Sequence, residues 1–93
     1  MSDSKIRVAD YIARRCVEAG AHHVFIVTGG GAMHLNDAFN RNQHLKTYCF
    51  HHEQAAAIAA ESYFRINQTP AVLNVTSGPG GINALNGVFG AYV

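Results

Sequence analysis

Three short apolar runs constrain the fold of this 93-residue chain more than any other feature: HHVFIV (22–27), LKTYCF (45–50) and AVLNV (71–75). Their length and their β-branched and aromatic content suit buried strands better than helices. Each gives way to glycine or polar residues and then to a helical pattern, AMHLNDAFN, EQAAAIAAESYFR and INALNGVFGAYV in turn. A helix also precedes the first strand: in IRVADYIARRCVEAG, Val8, Tyr11, Ile12, Cys16 and Ala19 recur near helical spacing, and Gly20 stands where such a helix would stop. This alternation predicts an α/β fold, a parallel sheet wound right-handed between helices on both faces, in three layers. The last pattern runs to Val93 without a cap or polar tail, and three strands make a small sheet. The expectation is an incomplete domain, with 1–93 as the front part of a larger one.

Hydrophobic residues make up 48% of the chain and charged residues 14%, a globular balance rather than a disordered one. With a net charge of +1 and no Lys/Arg cluster, neither a nucleic-acid nor an anionic-membrane partner is expected. No apolar run nears the ~20 residues of a membrane span. The opening MSDSKIRVAD has no apolar signal region, so a cytoplasmic protein is expected. In that setting the sequons at Asn67 and Asn74 are chance spellings, and Cys16 and Cys49 read as reduced core thiols.

Three stretches depart from ordinary core and surface patterning: VTGGGAM (27–33), FHHEQ (50–54) and TSGPGG (76–81). Each falls where a strand hands over to a helix, and in an open α/β sheet those junctions share the carboxyl edge, where ligands bind. Gly29, Gly30 and Gly31 permit a sharp turn and a close approach to a ligand, although the same glycines serve equally in plain βα turns. A dinucleotide fingerprint is incomplete in both loops, because His34 stands where a third small residue is needed and Asn83 follows Gly78 and Gly80. Pro79 suits a first helical position with Ser77 or Gly78 as cap, and Thr76 and Asn83 add groups able to hydrogen-bond a heterocycle.

Glu53 opens the second post-strand helix. A carboxylate there often only complements the helix dipole. Here Ala56, Ala57 and Ala60 lie beneath it at helical spacing, a small apolar face that lets a backbone or a flat ring approach. Desolvation on that face is expected to raise the carboxyl pKa, so that Glu53 could share a proton with a ring nitrogen. Glu61 is roughly 12 Å away along the helix and cannot form a proton-sharing dyad with it. The pairs His22–His23 and His51–His52 sit side by side in strands and cannot chelate together, so no metal site is expected in this chain. His52 and His34 are candidate site walls.

In this order, these stretches resemble the N-terminal pyrimidine-binding domain of thiamine diphosphate-dependent enzymes of the acetolactate synthase and pyruvate decarboxylase group. VADYIARRCVEAGAHHVFIVTGGGAMHLNDAF resembles the family's opening helix, first strand and glycine loop. HHEQAAAIAAESYFR resembles its H-E-x-x-A-x-x-x-A-E-x-Y segment, and PAVLNVTSGPGGINALNGVFGAYV its T-S-G-P-G-x-x-N helix entry. Thr28 stands where many members carry proline, and Phe64 where a small residue is common.

The resemblance implies that Glu53 hydrogen-bonds N1′ of the cofactor's aminopyrimidine and so activates it. It implies cofactor contacts for Thr76, Pro79, Gly80 and Asn83. Thr28, Gly29, Gly30, Gly31 and His52 would line the substrate pocket. It implies decarboxylation of a 2-keto acid or transfer of its acyl carbanion, with thiamine diphosphate as cofactor. The diphosphate and its Mg²⁺ belong, in this group, to a G-D-G-bearing domain of another subunit, and no G-D-G occurs here. The resemblance therefore implies a homo-oligomer, dimeric or tetrameric, and no catalysis by this chain alone. Two other readings stand beside it. One is a Rossmann-like nucleotide-binding domain with Glu53 on a ribose. The other is a non-catalytic association module built on the alanine-rich helix.

Overall fold

The computed structural model describes residues 5–93. The elements are α1 (Val8–Glu18), β1 (His23–Ile26), a 3₁₀ turn (Gly30–Ala32), α2 (Met33–Arg41), β2 (Lys46–Cys49), α3 (Glu53–Asn67), β3 (Val72–Asn74) and α4 (Pro79–Tyr92). The strands form a parallel sheet in the order β2-β1-β3. Val24 lies between Thr47 and Val72, and Ile26 between Cys49 and Asn74.

As the central strand, β1 is buried on both faces. Val24 and Ile26 pack with Ala13 of α1, Ala38 and Phe39 of α2, and Leu45. Phe25 points the other way, edge-on to Tyr48, Phe50 and Tyr63, the last of these on α3. Successive side chains alternate across a strand, so one apolar run feeds two cores. The expected three layers follow: α1 and α2 on one face, and α3 with α4 packed on it on the other.

The face that α1 buries differs from its most apolar-looking one. Val8, Tyr11 and Ile12 are exposed, whereas Ala13 is buried and Ala9, Cys16 and Val17 pack around it. Small side chains let α1 sit close to the sheet and to α2, so size rather than hydrophobicity set the rotation of this helix. The helix ends as its glycine predicts. Gly20 has φ of 96°, its amide bonds the Val17 carbonyl, and the Ala21 amide reaches back to Cys16, a Schellman closure. A Cβ on Gly20 would meet nothing within 4 Å. Gly20→Ala is thus expected to cost about 1 kcal/mol through backbone strain alone, read as a thermal midpoint lower by ~4–8 °C.

The alanine face of α3 meets α4 at close range. Ala56 and Ala57 are buried, and a Cβ on Gly87 would lie 2.2 Å from that of Ala57. Beyond that contact the two helices and β3 border a groove of about 620 Å³, lined by Phe64, Pro70, Leu73 and Val88 among others. Cys49 departs from the expected core thiol. It ends the edge strand β2 and is exposed, while Cys16 is half-buried and burial raises its pKa. Among the described residues, no helix is long and apolar enough to cross a membrane.

Candidate functional site

Parallel winding carries the ends of all three strands to one edge, and the three unusual stretches gather there. The segment after β3 is the hub. Thr76 Oγ1 accepts a hydrogen bond of 3.0 Å from the Gly31 amide, joining the first glycine loop to the second. The approach is close because the facing residues lack side chains. A Cβ on Gly29 would lie 2.6 Å from Thr76 Cβ, and one on Gly31 would lie 2.8 Å from Thr76 Oγ1 and 2.9 Å from Ser77 Oγ. The glycine loop opens into the 3₁₀ turn before α2 begins at Met33, so its amides do not sit directly at an α-helix N-terminus.

Glu53 is the first residue of α3, and Asn83 stands one turn into α4, after Pro79 at its first position and Gly78 as N-cap. Packing of α3 on α4 brings the two side chains together, and Asn83 Nδ2 donates to Glu53 Oε1 at 2.9 Å. The same amide nitrogen lies 3.2 Å from His52 Nε2. Glu53 Oε2 faces Gly80, where an added Cβ would lie 3.3 Å from that oxygen and 2.9 Å from Thr76 Cγ2. Gly80 is itself buried, and its missing side chain lets the carboxylate and Thr76 pack closely against the α4 backbone.

The Glu53 carboxyl is not raised as the alanine face suggested. Its pKa is lowered from the ordinary value of 4.5, first by the Asn83 hydrogen bond, then by a backbone hydrogen bond at the helix start, with a smaller push from His52. Desolvation acts upward, but Glu53 is only half-buried and the donors win. Because the folded value is depressed, this contribution to stability is present above about pH 4.5 and is lost as pH falls through the folded value below it. Asn83→Leu is expected to return the carboxyl toward or above 4.5, measurable by a carbon-detected NMR titration of the Glu53 carboxyl.

Glu53, His52, Asn83, Gly80, Thr76, Gly29 and Gly31 therefore converge. Thr28, Gly30 and Pro79 lie exposed on the same edge. His34 is exposed on the first turn of α2. A neighbour outside the sequence-derived set is Ser77, whose hydroxyl faces Gly31 beside that of Thr76. The signal for it was its place next to Thr76 in TSGPGG. Among the described residues, no group of three His, Cys, Asp or Glu side chains is placed to hold a metal ion.

Comparison with known proteins bears on this edge directly. The family described as thiamine pyrophosphate enzyme, N-terminal TPP binding domain, matches residues 6–93. The acetolactate synthase large subunit of Buchnera aphidicola subsp. Acyrthosiphon pisum (strain APS) is 34% identical over 85 residues, covering 91% of this chain and 15% of that protein. The chloroplastic acetolactate synthase of Arabidopsis thaliana is 32% identical over 91 residues, covering 98% of this chain and 14% of the relative. The mitochondrial acetolactate synthase of Schizosaccharomyces pombe (strain 972 / ATCC 24843) is 43% identical over 63 residues, covering 68% and 9%. The chain thus spans a small part of the length of these relatives. The family match takes in the glycine loop, Glu53 and the Thr76–Asn83 segment alike, and the chain belongs to the N-terminal TPP binding domains of thiamine pyrophosphate enzymes.

Proposed function

We propose that this chain is the front part of the pyrimidine-binding domain of an acetolactate synthase-like enzyme, with Glu53 as the residue that activates the cofactor. The observation that carries the reading is the Glu53 carboxylate itself. One oxygen is held by Asn83 and the other lies beside Gly80. These residues fit the cofactor's aminopyrimidine. A ring nitrogen needs a proton acceptor beside a backbone free of side chains, and Glu53 Oε2 next to Gly80 is such an acceptor.

Thiamine diphosphate, when bound, supplies a carbon nucleophile and an electron sink for chemistry on 2-keto acids. The chain's own contribution is to hold and position. Ionised Glu53 would accept a hydrogen bond from a protonated ring nitrogen at Oε2, or take up that proton itself. Asn83 restricts the carboxylate to one orientation by engaging Oε1, so that Oε2 is the oxygen presented. Thr76, Pro79 and Gly80 would form the cofactor side of the site, with Thr28, Gly29, Gly30, Gly31 and His52 on the substrate side. Closing the edge with another domain would exclude water and strengthen each of these contacts.

The remaining domains, including one that binds the diphosphate and Mg²⁺, belong on this reading to chain beyond the region matched here. A homo-oligomer would bring that domain from a second subunit. The cytoplasm is the proposed compartment, where Cys16 and Cys49 stay reduced.

The test is consumption of pyruvate by the complete protein with thiamine diphosphate and Mg²⁺. The expected result is turnover that vanishes when either is withheld. The 93-residue chain alone is expected to show none. Tight binding of NADH by the complete protein, with no affinity for thiamine diphosphate, would instead support the nucleotide-binding reading.

A further inference from the structure

One polar pair lies behind this edge and has no place in the proposed chemistry. Asn74 ends β3 and is 7% exposed, in a strand position where an apolar side chain is the usual occupant. Its side chain points to the same sheet face as that of Val72, toward α2, and its amide Nδ2 donates to Asn36 Oδ1 on α2. A buried amide costs free energy unless it is paired, so a chain carrying one here must keep Asn36 and Asn74 together or lose stability.

The placement explains what the pair constrains. Two residues beyond Asn74, Thr76 receives the Gly31 amide. Five residues beyond Gly31, Asn36 receives Asn74. The end of β3 is therefore tied at two points to one short segment, with the end of the 3₁₀ turn and the first turn of α2 between the ties. Apolar packing against α1 and the sheet can hold α2 in place, but it is non-directional and tolerates a small slide or roll. A hydrogen bond between two amides is directional and selects one register.

We propose that Asn36 and Asn74 form a positioning pair that sets the register of α2 on β3 and so holds the Gly29–Gly31 loop against Thr76. The consequence for a bound cofactor or substrate rests on the function proposed above, whereas the effect on the loop does not. Neither residue would touch a ligand. The pair acts through the glycine loop, by keeping that wall of the site at a constant distance from Thr76 and, through Gly80, from Glu53.

The experiment compares Asn36→Leu, Asn36→Asp and wild type, each in the complete protein, by backbone NMR relaxation and thermal unfolding. In wild type, the order parameters of Gly29–Gly31 are expected near the rigid-backbone value of ~0.85. In Asn36→Leu they should fall below ~0.6 while those of α1 and β1 stay unchanged. Asn36→Asp keeps an oxygen acceptor for Asn74 and should retain the rigid loop. A role in stability alone would lower the thermal midpoint of Asn36→Leu without singling out Gly29–Gly31, and that result overturns the proposal. So does a loop equally rigid, or equally mobile, in all three proteins. If Asn36→Leu fails to fold, the double variant Asn36→Leu/Asn74→Leu removes both amides together, leaves no orphan, and is read in the same way.

For the complete protein, Asn36→Leu should weaken binding of thiamine diphosphate with Mg²⁺ about tenfold, with Asn36→Asp close to wild type. A wild-type protein that binds no thiamine diphosphate would sink the proposed function and leave the loop measurement standing. A mobile loop with unchanged affinity would leave the pair's hold on the loop standing and sink its consequence for the cofactor.

Discussion

Glu53→Gln in the complete protein is expected to lower pyruvate turnover at least ~10²-fold, within the range general acid–base groups contribute, with cofactor affinity changed far less. The substitution is well suited to the question. Glutamine has the shape of glutamate and keeps a carbonyl oxygen for Asn83 Nδ2, which now donates to Glu53 Oε1 at 2.9 Å. The helix start and the contact with α4 should therefore survive, and thermal unfolding checks that they do. What is lost is the atom that can take a proton, since the second oxygen, beside Gly80, becomes an amide donor. A drop in kcat at unchanged midpoint assigns Glu53 the activating role. Wild-type turnover in the variant would refute it. The lowered pKa adds a second check. Glu53 is ionised near neutrality, so a wild-type profile controlled by this carboxyl should lose activity only on the acid side, as pH falls through a value below 4.5.

Gly87→Val is expected to destabilise the fold by about 3 kcal/mol, at the upper end of the usual cost of overpacking. The Cβ of any side chain at Gly87 would lie 2.2 Å from Ala57 Cβ and 2.9 Å from the Ala57 carbonyl carbon. Both neighbours are rigid: one is the only side-chain atom of a buried alanine and the other is backbone. No rotamer change relieves the clash, so α4 must move off α3. A β-branched residue adds poor helix propensity to that displacement. Because Asn83 reaches Glu53 only through this helix contact, the same variant should raise the Glu53 pKa toward its ordinary value. Thermal unfolding reads the first effect, as a midpoint lower by more than ~10 °C, and a carboxyl titration the second. A midpoint within a few degrees of wild type would show that the helices tolerate a wider separation.

By itself, the sequence determined the order of elements, the parallel three-layer arrangement and the edge on which the unusual stretches meet. These rest on local rules: the length and content of HHVFIV, LKTYCF and AVLNV, the stop at Gly20, and proline at the first position of α4. The family motifs were legible for the same reason, since each is a contiguous stretch at one strand–helix joint. Only the tertiary structure decided which face of α1 is buried, where Ala13 won over Val8, Tyr11 and Ile12 because the space beside the sheet admits a small side chain. It also decided the pKa of Glu53, which the alanines beneath it suggested would be raised and which Asn83, thirty positions along the chain, lowers instead. The pairing of Asn36 with Asn74 was equally invisible beforehand. A side chain's pKa and its hydrogen-bond partners depend on distances of about 3 Å, and between distant residues such distances are set by the packing of whole elements, which no local pattern encodes.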